Sequence, residues 1–143
     1  VKLSTNILKI MVALLLFSFS GCSPFSKMDQ KTELEGVLGN YMQCLRWQDY
    51  YAAAAFMAEE NRASFLEDFT GNEALNITDL KLVSFQPTAN PDEYQTLIRM
   101  EYFMLPSNTI QKKDIGQTWV LVPAPSALMP KFWQIATPFP EFP

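Results

Sequence analysis

Proline placement constrains this chain more than any other feature. Ahead of residue 86 there is one proline, Pro24. After it come nine: Pro87, Pro91, Pro106, Pro123, Pro125, Pro130, Pro138, Pro140 and Pro143. Inside a helix, proline removes a hydrogen bond and clashes with the preceding turn, whereas strand edges and turns accommodate it. The distribution predicts helices in the first half and strands in the second, with no linker or repeat between them. Helices followed by an antiparallel sheet define the α+β class.

The N-terminus reads differently from the rest. Lys2 and Lys9 precede the apolar run Ile10–Phe17, which ends in Ser18-Phe19-Ser20-Gly21-Cys22. A charged start, a short apolar stretch and small residues form the layout of a secretory signal over residues 1–21. Ile10–Phe19 is about half the ~20 apolar residues a membrane-spanning helix needs. Cys22 follows Ser20-Gly21 and precedes Ser23-Pro24. This resembles the lipobox of bacterial lipoproteins, with Phe19 where that pattern usually has Leu. The resemblance implies that Cys22 is the acylated first residue of the mature chain. It implies a cell-envelope protein held on the membrane by a lipid anchor, on the periplasmic side of the outer membrane where the host has one. Val1 fits a bacterial gene read from a non-AUG start. Residues 22–29 then read as an extended, solvated tether, and residues 30–143 as a single α+β domain.

Removing residues 1–21 takes away Lys2 and Lys9 and no acid, so the net charge moves from −4 to −6. The remaining length suits one domain with an ordinary core. An acidic surface without a basic cluster argues against nucleic acid as a partner. The chain has no histidine, which removes the commonest general base and the commonest metal ligand.

Periodicity places the elements. Thr32-Glu33-Leu34-Glu35 is a capping box, and Leu34, Val37, Leu38, Tyr41 and Leu45 follow on one helical face. Gly36 and Gly39 each cost about 1 kcal/mol against alanine in a helix. Either another element approaches there or they have no packing role. Asp49 caps a short second helix running to Met57. A third carries Arg62, Phe65, Leu66 and Phe69 and stops at Gly71. Strands are expected at Asn76–Phe85, Tyr94–Met104, Ile115–Val122 and Phe132–Ala136. Pro106-Ser107-Asn108 makes a turn, Pro123–Pro130 an apolar loop, and Thr137–Pro143 a tail. In the second strand Tyr94, Thr96, Ile98, Met100, Tyr102 and Met104 share one face. That face should point to the helices. Gln95, Leu97, Arg99, Glu101 and Phe103 should face outward, wet or in a dimer contact.

The stretch Gln117-Thr118-Trp119-Val120-Leu121-Val122, followed by Lys131-Phe132-Trp133-Gln134-Ile135 and Pro138-Phe139-Pro140, resembles the last hairpin of bacterial members of the nuclear transport factor 2-like superfamily. The connecting turn is usually short there; here it is Pro123–Pro130. The resemblance covers roughly residues 30 to 140. It implies a cone in which helices close one side of a strongly curved four-stranded antiparallel sheet. Members include ketosteroid isomerases, dehydratases and non-catalytic binding modules, so the fold does not choose the function. A cystatin-like domain, one helix cradled by a sheet, is the alternative architecture.

Without histidine, catalysis would need a carboxylate with a tyrosine. Asp49 with Tyr50, Asp68 below Phe69, and Glu101 beside Tyr102 are the candidates. Each has a plainer reading: a helix cap, a wet helix face, and a surface ion pair with Arg99. No catalytic residue is therefore assigned. Glu59-Glu60 and Asp92-Glu93 lack a third metal ligand, so no metal or cofactor is expected. Cys44 reads as a buried free thiol, and Asn76-Ile77-Thr78 as a strand start. Tyr94, Ile98, Met100, Tyr102 and Met104, with Trp119 and Trp133, either line a pocket for a small apolar ligand or form solid core. Three functions stay open: a non-catalytic ligand-binding or accessory domain, a carboxylate-based isomerase or dehydratase, and a structural protein forming a homodimer through its sheet. Arg99 separates them in part. Inside and paired to a carboxylate, it would favour the enzyme.

Overall fold

A computed structural model describes residues 25–126 and 128–141. The expected signal peptide, Cys22 and the first residues of the tether lie outside the described residues. The chain divides into two units, Val1–Lys31 and Thr32–Pro143. The described part of the first is helical.

Helix α1 runs Phe25–Arg46. Two expectations are corrected here. Thr32 caps nothing, because seven helical residues precede it, and the tether expected to be extended is helical from Phe25. A capping box marks a helix start only where the chain leaves the helix. Between Phe25 and Lys31 there is no proline or glycine to make it leave. Leu34, Leu38, Tyr41 and Leu45 form the buried stripe of α1. Gly36 and Gly39 are exposed, and a Cβ on either would meet nothing within 4 Å, so no described element uses them for close approach.

The end of α1 is a Schellman motif. Gln48 N–H donates to the Leu45 carbonyl and Asp49 N–H to the Cys44 carbonyl. The motif needs one left-handed residue, and Gln48 supplies it with φ 61°. Helix α2, Tyr50–Ala54, is capped as expected by Asp49, whose Oδ1 accepts from Ala52 N–H at 3.1 Å. It stops short of Met57 because the next residues pair with the sheet. Ile135 N–H donates to the Phe56 carbonyl, and Ala58 N–H to the Ile135 carbonyl. Helix α3, Glu59–Thr70, buries Phe65 and Phe69 and ends at Gly71. Phe139 of the tail closes on those two rings, with centroids 5.4 and 5.0 Å away. The residues read as a bare tail are thus partly core.

Four antiparallel strands follow: β1 Leu75–Pro87, β2 Glu93–Met104, β3 Gln111–Val122 and β4 Phe132–Ile135, in sheet order β1-β2-β3-β4. With the helices packed on this open sheet, the class is α+β. β3 begins four residues before its apolar part. Its leading Gln111-Lys112-Lys113-Asp114 carries no strand pattern, yet it pairs with β2 from Tyr102 to Arg99. The sheet's edges are guarded differently. Phe56–Ala58 cover part of β4. β1 instead carries two register irregularities, at Ile77/Asp79 and Leu82/Ser84, with Lys81 between them. The Arg46 guanidinium also donates to the Leu80 carbonyl at 3.1 Å. Bulges and edge charges of this kind discourage pairing with another chain.

Candidate functional site

The alternation read from β2 holds. Tyr94, Thr96, Ile98, Met100 and Tyr102 are buried and Met104 is half-buried. Leu97, Arg99, Glu101 and Phe103 are half-buried on the outer face. Trp119 and Trp133 sit on neighbouring strands, also buried, with Trp133 opposite Leu121 and Trp119 opposite Ile135. All seven residues named as candidate pocket lining belong to one core with the α1 stripe. Its rings interlock: Tyr41 on Trp119 and Tyr94 on Trp133 at 5.7 Å, and Phe85 on Tyr94 at 5.0 Å. Neither of the two cavities described below is bounded by the core's indole rings or by Tyr94, Ile98, Met100, Tyr102 or Met104.

The polar groups inside this core are neutral. Gln117 Nε2 donates to the Tyr41 hydroxyl at 2.9 Å. Among the described residues, Thr96 Oγ1, Gln117 Oε1, Trp119 Nε1 and Trp133 Nε1 are buried without a partner. Burial pushes the Tyr41 phenol well above its ordinary range, and the Gln117 bond opposes this without cancelling it. Cys44 is half-buried rather than buried. Desolvation, then the charge of Asp49, raise its thiol pKa, while a backbone hydrogen bond opposes them. Such a thiol is a poor nucleophile.

The outer face holds the charges. Arg99 grips Asp114 with both ends of its fork, at 2.7 and 2.8 Å. Glu101 meets Lys112 at 2.9 Å, and Lys81 meets Asp79 at 3.0 Å. The expected Arg99–Glu101 pair is therefore corrected. Directly opposed residues on neighbouring strands lie closer than residues two apart on one strand, and the early start of β3 puts Asp114 opposite Arg99. Hydrogen bonding to Arg99 holds the Asp114 carboxyl below its usual range, and Lys112 does the same for Glu101. Further along this face is a trough of about 400 Å³ over Gly116 and Leu97, walled by Ser84, Gln86, Gln95 and Thr118. Its named walls carry hydroxyls and amides and no charge.

A second cavity, of about 290 Å³, lies where the α1–α2 turn meets the end of α3 and the start of β1. Gln48, Asp49, Tyr50, Tyr51, Phe69 and Glu73 are among the residues that line it. The Tyr50 and Phe69 rings meet at a tilt of 44° with centroids 4.9 Å apart, and burial raises the Tyr50 phenol. Asp49 and Tyr50, a candidate acid–tyrosine pair, thus do meet at a cavity. Asp49, however, is exposed and engaged as a helix cap. Neither Asp68 nor Glu101 is among the lining residues, and Glu101 is tied to Lys112 across the sheet. The local signal for this cavity was the pair Asp49-Tyr50. Phe69 and Glu73 reach it only through the fold.

Among the described residues, no group of three histidine, cysteine or acidic side chains is placed to hold a metal ion. No described helix is long and apolar enough to cross a membrane. Compared with known proteins, the chain matches no family model, no curated protein and no solved structure.

Proposed function

We propose that this chain is a binding or accessory domain of the bacterial envelope, anchored through lipid on Cys22, with a nuclear transport factor 2-like architecture. Three helices ahead of a four-stranded antiparallel meander support that architecture. They fit a cystatin-like domain, with its single cradled helix, less well. The order of charge, apolar run, small pair and cysteine supports the anchor.

One observation carries the non-catalytic reading. Among the described residues no charged side chain is buried, and the buried polar side chains, Thr96 and Gln117, are neutral. A carboxylate base of the isomerase or dehydratase kind works from a cavity that tunes its proton affinity. Here Arg99 and its acidic neighbours face solvent and one another.

The test has two arms. In a bacterial host fed an alkynyl fatty acid, the wild-type protein is labelled and sediments with membranes. Cys22→Ser is unlabelled, and is either released or left as precursor. A mature N-terminus bearing unmodified Cys22 overturns the anchor. Turnover of a β,γ-unsaturated ketosteroid that Asp49→Asn abolishes overturns the non-catalytic half.

A further inference from the structure

We propose that the cavity between the α1–α2 turn and the end of α3 binds a small organic cation of the quaternary-ammonium class. The proposal deepens the reading of the domain as a binding module and rests on it. Three independent features converge there.

The first is chemistry. Tyr50, Tyr51, Asp49 and Glu73 are among the residues that line the same 290 Å³, above the buried ring of Phe69. Aromatic faces carry negative quadrupole potential and attract cations, most strongly where water is partly excluded. Carboxylates at the rim add a full charge of the same sign.

The second is the absence of a basic residue from the cavity's lining. The three basic residues nearest in sequence are engaged elsewhere, Lys81 Nζ lying 3.0 Å from Asp79 Oδ2. The Arg46 guanidinium donates to the Leu80 carbonyl and lies 3.6 Å from Asp79, and Arg62 Nε donates to the Met57 carbonyl. The cavity therefore offers negative potential with no internal counter-ion. That separates a cation from a neutral sugar, which would be served equally well by the uncharged trough over Gly116.

The third is exposed aromatic area at one spot. Tyr51 is 73% exposed and Trp47, just outside the lining, is 71% exposed. Rings that open leave most of their surface to solvent.

The cavity is at the small end of ligand pockets, which suits a compact ammonium head group rather than an extended ligand. The test is isothermal titration of the full-length protein, in a polyoxyethylene detergent, with three probes. These are choline, its uncharged isostere 3,3-dimethylbutan-1-ol, and N-acetylglucosamine. Choline binds, and its affinity falls as potassium chloride is added; the other two do not bind. Tyr51→Ala weakens choline about 3- to 30-fold and Glu73→Gln about 2- to 5-fold. Both side chains are exposed, so the melting temperature stays within error and folding is not in question. Binding of the isostere as tight as that of choline overturns the proposal. So does choline binding indifferent to both substitutions, or no choline binding at all. Binding of N-acetylglucosamine alone also overturns it while leaving the domain a binding module. The anchor and the absence of turnover are judged separately by the labelling and ketosteroid experiments.

Discussion

On the outer face of β2 and β3, Arg99 faces Asp114 and Glu101 faces Lys112, every charge partnered and within reach of water. Three and five residues back along β2 from Arg99, on the inner face, Thr96 lies opposite Gln117 and Tyr94 opposite Trp119. There Thr96 Oγ1, Gln117 Oε1 and Trp119 Nε1 are buried without partners among the described residues. The contrast separates stability from specification. Exposed ion pairs contribute little to stability, whereas burial of large rings contributes most of it. The outer pairs do something the core cannot. A two-residue slip keeps every side chain on its face, so hydrophobic alternation does not forbid it. Slipping β3 one way would set Arg99 against Lys112, and the other way Glu101 against Asp114. Both are like-charge contacts. Between β1 and β2 no such code exists, since Asp79 lies opposite Glu101 and Lys81 opposite Arg99. There the two bulges fix the register instead.

If stability resides on the inner face, removing its largest ring has the largest effect. Trp119→Ala should cost about 3–5 kcal/mol, a major share of the ~5–15 kcal/mol typical of a domain. Urea unfolding followed by circular dichroism measures it. An unchanged midpoint would show that Trp119 is not in the core and would dissolve the comparison.

Tyr41 gives the next test. Its phenol is raised by burial in the folded state, so folding favours the protonated form. The associated stability is fully present below the unfolded value near 10 and is lost as pH rises through the folded value. Tyrosinate absorbance at high pH should therefore show a step that waits for unfolding. Tyr41 should ionise only as the protein unfolds. Titration of all five tyrosines in one ordinary step would mean that water reaches the interior.

These two tests depend on an inner face that was legible in the sequence, and the reason is physical. Alternation has a period of two, so Tyr94 through Met104 declares its own faces without knowledge of any neighbour. The α1 stripe from Leu34 to Leu45 declares itself in the same way. What was not legible depends on partners. Gln111-Lys112-Lys113-Asp114 looks like a polar loop until Arg99 and Glu101 are known to face it. Thr32 looks like a cap because four residues cannot report whether the helix has already begun. Phe139 sits among prolines, and only the fold brings it to Phe65 and Phe69. The cavity beside Gln48 gathers residues from two turns and the end of α3, so only its Asp49-Tyr50 edge could be singled out in advance.

Thr96→Val sharpens the comparison by a smaller margin. Valine keeps the shape and suits a strand, and it deletes a buried hydroxyl that has no partner among the described residues. Relief of an unsatisfied buried group should raise stability by about 1 kcal/mol. A loss of stability instead would show that the hydroxyl is satisfied in solution, and that the two faces are less different than they look.

The smallest effect is expected on the outer face, and its form matters more than its size. Arg99→Ala should leave the melting temperature nearly unchanged at neutral pH in high salt, because the pair it breaks is exposed and screened. In low salt a small loss should appear, with a definite pH window. Asp114 is held below its ordinary pKa by hydrogen bonding to Arg99, and Glu101 likewise by Lys112. Their contributions are present above the unfolded carboxylate values and fade as pH falls through the lower folded ones. Wild type and Arg99→Ala should therefore converge in acid. Register should respond where stability does not. Reversing one pair alone, with Arg99→Glu, sets two acids opposite each other in the native pairing and favours a slip. Adding Asp114→Lys should restore the native pairing. Interstrand nuclear Overhauser contacts between Ile98 and Ile115, opposite each other in the native register, read this directly. If those contacts persist unchanged in Arg99→Glu, the charges do not specify register, and packing of the inner face alone must do so.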